Sequence, residues 1–334
     1  MENKQKIRKV TAGDVATLAG VSKWTVSRAF TPGASISDTA RQRVMRAAKT
    51  LGYRPNLLAR SLSNKPTHIL GVALDQFRNP QSLRWLEVIS RQLQARGYMA
   101  LLLNIDDGEN YQSVVGLADQ LQVDGLIFLG TVLSDELQEI TRETLSIPLV
   151  QIGRNTESSD IDIVNLDGFQ AGEKIAELLL AQGHKTFAYM KGPNTAGNHL
   201  YRYEGYRACA EATGQVFDPL LAGEYSRLAG YSTMQQYLAA TPEPQWADAI
   251  FCENDILAFG VLDALSEWPE GKSVAVVGFD NIPEAAAVGL TTYDQCPEKL
   301  VAEALNRIID GEVSQTEDWL QGQLVIRQTH RRKA

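Results

Sequence analysis

Residues 22–28 read Ser-Lys-Trp-Thr-Val-Ser-Arg, which gathers a lysine, an arginine, an indole N–H and three hydroxyls without one carboxylate. So donor-rich a run suits an acceptor-rich partner. Lysine donates to guanine O6 and N7, arginine can give two parallel bonds to the same atoms, and the hydroxyls reach phosphates or bases. To act together these groups must share one side of a helix. Ser22 supplies a cap, and Val26 with Ala29, spaced i, i+3, supply an inward face that leaves Lys23, Trp24, Thr25, Ser27 and Arg28 for the partner.

The flanking residues predict the elements that hold this run. Thr11 with Asp14 forms a capping-box-like start, Val15, Ala16, Leu18 and Ala19 give a short helix one apolar face, and Gly20-Val21 turns the chain. A third helix begins after Ser37, buries Val44, Ala47, Ala48 and Leu51, carries Arg41, Arg43, Arg46 and Lys49 on its outer face, and stops at Gly52. Two short helices about a tight turn, with a third behind them, are the helix-turn-helix arrangement, whose second helix enters the major groove. Charge agrees. Residues 1–65 hold 13 basic and 3 acidic residues, a net of +10, so the remainder of a chain of net charge -8 carries -18. A basic head on an acidic body is the electrostatic footprint of phosphate binding confined to one segment.

The motifs Val10-Thr11-Ala12-Gly13-Asp14-Val15-Ala16, Ala19-Gly20-Val21-Ser22, Thr25-Val26-Ser27-Arg28, Thr39-Ala40-Arg41-Gln42-Arg43-Val44, Leu51-Gly52-Tyr53-Arg54-Pro55-Asn56 and Ala59-Arg60-Ser61-Leu62 stand in order through the head. In this set the chain resembles the lactose-repressor/galactose-repressor (LacI/GalR) family, and the likeness runs through nearly its whole length. Pro55 interrupts helix propagation and Asn56 is a good cap, so 57–63 can form a short helix too brief to be stable alone. The resemblance implies that DNA is its partner: paired hinge helices of a dimer enter the minor groove, Leu62 wedges into a base step, and Ala59 is small where the two helices approach. The expected DNA-contacting set is therefore Thr11, Ser22, Lys23, Trp24, Thr25, Ser27, Arg28, Asn56, Ala59 and Leu62.

From Thr67 onward, apolar runs of strand length alternate with amphipathic helices. Ile69–Leu74, Met99–Leu103, Gly125–Leu129 and Leu149–Ile152 read as buried parallel strands; 186–190, 249–252 and 274–277 form a second series, with helices near 168–182, 200–213 and 254–268. Two βαβ lobes follow, and ligands in such sheets bind beyond the carboxyl ends of the strands. Asp75 and Asn79 follow the first strand, Asn254 and Asp255 follow Cys252, Asp280 and Asn281 follow 274–277, and Arg202 opens a helix after Gly192-Pro193. The family's effector motifs match at Arg202 with Gly205-Tyr206, at Asn254-Asp255, at Val277-Gly278-Phe279-Asp280 and at 290–295. The effector contacts expected are thus Asp75, Asn79 and Arg154 from their strand-end positions, and Arg202, Tyr225, Asn254, Asp280 and Gln295 from the resemblance. The lesser alternative is that Asp255 and Asp280 are caps or turn residues and Tyr225 a core residue. Where relatives place apolar or aromatic residues after the Asn-Pro pair, this chain has Gln81 and Ser82. With Arg154, they admit a sugar or a sugar acid.

The fold expected is a small all-α helix-turn-helix head (1–55), a hinge (56–66), and a two-lobed α/β periplasmic-binding-protein-like body with parallel sheets (67–334). Its N-lobe is expected at about 67–165 and 296–320, its C-lobe at about 166–293 and 321–334. The partners expected are double-stranded operator DNA, a small-molecule effector and a second copy in a homodimer; no membrane and no cofactor enter. Absence of a leader-like apolar run and of spanning segments places the protein in the cytoplasm, and Cys209, Cys252 and Cys296 lie too far apart for a zinc motif, with Cys252 and Cys296 reading as buried thiols. A periplasmic binder needs a leader and no basic head. No catalytic motif is found, and the four histidines lack metal-ligand spacing, so an enzyme is not expected. With no leucine heptad at Arg331-Arg332-Lys333-Ala334, a dimer rather than a tetramer is expected.

Overall fold

The computed structural model describes residues 10–31, 33–54, 66–74, 79–105, 111–130, 135–144, 146–153, 162–193, 201–214, 217, 219–268, 274–311 and 319–332. The chain divides into two compact units, Met1–Thr67 and His68–Ala334.

Among the described residues the first unit holds three helices, α1 (Ala12–Ala19), α2 (Lys23–Ala29) and α3 (Asp38–Leu51). Each starts on a hydroxyl cap, at Thr11, Ser22 and Ser37, and α1 and α3 stop at Gly20 and Gly52, whose positive φ values of 62° and 65° a side chain would strain. Val15, Ala16, Ala19, Val26, Ala29, Val44, Ala47 and Ala48 close a small core. Two expectations need correction. Leu18 is 54% exposed, because a 100° step per residue carries it to the flank of the face that Val15, Ala16 and Ala19 bury. Arg41 does not lie on the outer face: its guanidinium turns inward and donates to the Ala29 carbonyl at 2.7 Å and the Ala34 carbonyl at 3.1 Å, closing the α2–α3 loop.

The second unit holds two sheets. The first orders its strands β2-β1-β3-β4-β5, all parallel, from β1 (Ile69–Leu74), β2 (Met99–Asn104), β3 (Gly125–Leu129), β4 (Leu149–Ile152) and β5 (Asp162–Val164), with α4 (Pro80–Ala95), α5 (Tyr111–Gln120) and α6 (Asp135–Thr144) between them. Its order reverses beside β1, where ligands of such sheets bind. β2 is not a buried strand as its sequence suggested: it lies at the sheet edge and leaves Met99 and Leu102 exposed.

The second sheet orders β11-β10-β9-β8-β6-β7, from β6 (Phe187–Lys191), β7 (Leu220–Leu221), β8 (Ala249–Cys252), β9 (Ala275–Phe279), β10 (Thr291–Asp294) and β11 (Gln323–Val325). All pairs are parallel except β10 with β11. Around it lie α7 (Gly168–Ala181), α8 (Arg202–Glu211), α9 (Arg227–Ala240), α10 (Asp255–Ser266) and α11 (Pro283–Ala287). Two of these helix pairs cross glycine to glycine. A Cβ on Gly172 would stand 2.1 Å from the Arg202 carbonyl oxygen and one on Gly205 1.9 Å from the Phe169 oxygen; Gly230 and Gly260 do the same for α9 and α10.

The chain crosses between the sheets three times. Leu166 bridges Leu320, and Asp167 N donates to the Leu320 carbonyl at 3.0 Å, joining the first and third crossings. At the second, α12 (Pro297–Leu305) returns to the first sheet, where Leu300, Val301, Ala304 and Leu305 enter its core.

Candidate functional site

On the head, the α2 side chains divide as the spacing requires. Val26 and Ala29 are buried, while Lys23, Trp24 and Ser27 are exposed. Ser22 Oγ accepts from Thr25 N at 3.1 Å and lies 2.9 Å from the Thr25 hydroxyl, so these two oxygens fix the helix start. Thr11 is similarly engaged, its hydroxyl donating to Asp14 at 2.7 Å. The Lys23 stem passes over Gly13, a Cβ on which would lie 3.0 Å from Lys23 Cε. Trp24 is 67% exposed, and the Arg28 guanidinium carbon sits 4.5 Å from its ring centroid while Arg28 Nε donates to the Ser35 carbonyl at 2.9 Å. The hinge candidates Asn56, Ala59 and Leu62 lie outside the described residues, as do Asp75 and Arg154 of the body.

In the body, β6, β8, β9 and β10 are neighbours in one sheet, so their carboxyl ends bring together residues far apart in sequence. Arg202, at the start of α8, is buried, lies 3.8 Å above the Phe279 ring and donates from Nη1 to the Glu253 carbonyl at 2.6 Å. Phe279 in turn stacks on Tyr293, with rings 14° from parallel. Gln295 Nε2 donates to Asp280 Oδ1 at 2.6 Å. Burial raises the Asp280 carboxyl to about 7, against the opposing pull of Arg202 and of the Gln295 bond. Asn254 Oδ1 caps α10 by accepting from Leu257 N at 2.9 Å, leaving its amide nitrogen; Asn79 caps α4 in the same way through Gln81 N.

Asp255 belongs to the frame. Its carboxylate accepts from the Thr292 hydroxyl at 2.6 Å and from Ile282 N at 2.9 Å, pinning the turn after β9. Burial, then the neighbouring Asp280, lift it to about 8. Tyr225 is half-buried; its ring closes over Gly192, where a Cβ would lie 2.1 Å from Cε1, and its hydroxyl donates to Glu253 at 3.1 Å. Cys252 is buried and its thiol is pushed well up by burial, whereas Cys296 is only half-buried, because it sits at φ 54° in the second crossing.

Sequence reasoning missed two members, Glu253 and Arg84. Glu253 is buried and accepts from Gly192 N at 2.6 Å as well as from Tyr225; an acidic residue directly after an apolar strand was its available signal. Arg84 on α4 reaches across to the second sheet. It donates from Nη1 to the Asp280 carbonyl at 2.8 Å and from Nη2 to both Asp294 oxygens at 3.1 and 2.9 Å. Nothing local in sequence marks Arg84, and Asp294 stood out only as part of the family motif at 290–295; the pair is joined by tertiary folding. One turn before Arg84 on the same helix, Gln81 is 5% exposed, and neither atom of its amide has a hydrogen-bond partner among the described residues. A buried amide left open in this way is costly unless something else binds it.

A three-helix unit with a donor-rich exposed helix face, joined to a two-sheet unit that collects buried polar groups at its strand ends, defines a DNA-binding regulator with a small-molecule sensor. The chain belongs to the LacI family: the family described as bacterial regulatory proteins, lacI family, matches residues 11–56, and that described as periplasmic binding proteins and sugar binding domain of LacI family matches 67–310. Among curated relatives, the ribose operon repressor of Escherichia coli K12 is 31% identical over 306 residues, 90% of this chain and 92% of that protein. The HTH-type transcriptional repressor PurR of Erwinia tasmaniensis is 30% identical over 319 residues, 92% of each chain. Among solved structures, the lac repressor dimer bound to operator and the anti-inducer ONPF superposes with a TM-score of 0.85 over 97% of this chain and all of that one, at 23% identity.

Proposed function

We propose that the protein is a sequence-specific transcriptional repressor that binds palindromic operators as a dimer and whose operator affinity is set by a small polar effector, a sugar or sugar acid, held at the strand ends of the body. It works in the cytoplasm and catalyses nothing. Family membership, and relatives named for a ribose operon and for operator binding, support the reading. The observation that carries it is the α2 face, where Lys23, Trp24 and Ser27 are exposed with Arg28 half-buried beside them, on a helix whose own sequence contains no acidic residue. Such a face has no structural use in a lone sensor. Two-fold symmetry follows because one three-helix head neutralises few phosphates and needs a second half-site.

On the sensor side, Arg202, Asp280 and the open Gln81 amide offer donors and acceptors in the mixture that a polyol requires, and the stacked Arg202 cation accommodates a carboxylate. Residues Arg202, Tyr225, Asn254, Asp280 and Gln295 contact or orient the effector in this reading, and Asp75, Asn79 and Arg154 are proposed as further contacts. Selection of bound duplexes from a random pool, with and without candidate ligands, tests the function: enrichment of a palindrome whose recovery changes with ligand is expected, and failure to enrich any duplex overturns it. A thermal-shift panel separates the effector classes, since a ligand present at a hundred times its Kd stabilises by about 2.7 kcal/mol. Stabilisation by neutral sugars alone removes the sugar-acid arm.

A further inference from the structure

Trp24 is an anomaly within the reading face. Singly exposed apolar side chains are ordinary, but this one is 67% exposed on the donor-rich helix, whose other outward residues are polar. An indole has one N–H donor and no acceptor, so it cannot read a base pair by paired hydrogen bonds. Its neighbour explains what it does instead. The Arg28 guanidinium is held twice, by the Trp24 ring face at 4.5 Å and by the Ser35 carbonyl, which takes the Nε proton at 2.9 Å. With Nε occupied, the side-on fork of Nε and Nη2 is unavailable to a base. What remains is the end-on pair of Nη1 and Nη2, oriented in advance by the ring.

Two parallel N–H donors match guanine O6 and N7, and an apolar ring in the major groove matches the one apolar group there, the C5-methyl of thymine. The guanidinium carbon lies 4.5 Å from the ring centroid, a separation that allows the two to reach adjacent base pairs, which rise by about 3.4 Å. The charge of the segment favours the partner class: residues 1–65 carry a net of +10 by sequence, which draws a polyanion to the head rather than another apolar surface.

We infer that Trp24 and Arg28 form a single reading unit that takes a guanine on the Arg28 end-on fork and the C5-methyl of a thymine in the adjacent base pair on the Trp24 ring. The inference rests on the DNA-binding function proposed above and names the base chemistry of its partner. It also gives Trp24 a positioning role, because the ring holds the guanidinium.

The test uses the full-length protein and duplexes selected from a random pool. In the selected duplex each thymine is replaced in turn by uracil, which removes only the methyl group, and each guanine by 7-deazaguanine, which removes only N7. One thymine per half-site is expected to lose about three- to tenfold in affinity on replacement, as burial of one methyl group implies, next to a guanine sensitive to loss of N7. In Trp24→Ala the thymine-to-uracil ratio falls to one and the 7-deaza penalty shrinks, while Trp24→Phe keeps both. A selected duplex without any uracil-sensitive position, or an unchanged ratio in Trp24→Ala, overturns the reading unit while leaving DNA binding intact. Failure to enrich any duplex overturns the DNA-binding function and the reading unit together.

Discussion

Replacing Arg84 with methionine removes the ion pair that ties α4 to the ends of β9 and β10. The pair is partly sheltered, with side-chain exposures of 21% for Arg84 and 14% for Asp294, so it falls between the ~0–1 kcal/mol of surface pairs and the ~3–5 kcal/mol cost of breaking buried ones. Asp294 keeps two donors, Asn281 Nδ2 at 2.8 Å and Cys296 N at 2.8 Å, which softens the loss. The Asp280 and Asn281 carbonyls lose their contacts with the cation at 2.8 and 3.3 Å, which adds to it. A net destabilisation of about 2–3 kcal/mol follows, equivalent to roughly 5–10 °C in Tm for a body of this size. The backbone at the contact sharpens the expectation, since Asp280, Asn281 and Cys296 all stand at positive φ, 112°, 52° and 54°, in a region that neighbours must enforce. Calorimetry on the full chain, as a double-mutant cycle of Arg84→Met with Asp294→Asn, gives the coupling, expected at about 1.5–3 kcal/mol. A coupling below about 0.5 kcal/mol refutes the assignment of Arg84 as a tie between the two sheets.

Four further outcomes are expected. Gln81→Met removes a buried amide without partners, so it should raise the Tm of the unliganded protein by the equivalent of about 1–3 kcal/mol and weaken stabilisation by a polar effector; a lowered Tm contradicts the account. Asp255 and Asp280, raised to about 8 and about 7, bind protons in the folded chain that the unfolded chain releases above about 4. Their contribution is therefore most favourable at acid pH and declines as pH rises from about 4 to 8; in a Tm-against-pH series Asp255→Asn should flatten the upper part of that decline, and an unchanged slope counts against it. Gly205→Ala places a methyl group 1.9 Å from the Phe169 carbonyl and should displace the helix that begins at Arg202, costing more than about 3 kcal/mol and the effector response, read by thermal shift. Arg202→Met should abolish that response while the head still binds DNA in a gel-shift assay; a retained response places the effector elsewhere.

Local chemistry made most of the head legible. Hydroxyl caps at Ser22 and Ser37, glycines that tolerate positive φ, and apolar spacing at Val26, Ala29, Val44 and Ala47 act within one or two helical turns, so the sequence alone places α1, α2 and α3. The error at Leu18 arose because a short helix has flanks as wide as its face. Arg41 was misread for a different reason: its partners at Ala29 and Ala34 belong to another element, and a long side chain on an outer stripe can fold back onto a loop. In the body the long apolar runs identified β1, β3, β4 and β8. The short strands β5, β7, β10 and β11 carried too few residues for any period to register.

The site divides along the same line. That Arg202, Asn254 and Asp280 stand at strand ends was legible because parallel strands deliver their carboxyl ends to one edge, a rule that needs only the order of elements, whereas Gln295 came from the family motif at 290–295. Which of their atoms stay available was decided by packing: Asn254 Oδ1 caps a helix, Asp280 is held by Gln295, and Arg202 is stacked on Phe279. Composition, caps and periodicity thus determined from the sequence that a basic three-helix head precedes an acidic, two-sheet body, because those signals act between neighbours in the chain. The Arg84–Asp294 tie, the open Gln81 amide and the raised Asp255 carboxyl were decided only by the tertiary structure. Each depends on burial or on a partner up to some 210 residues away, and neither leaves a trace in local sequence.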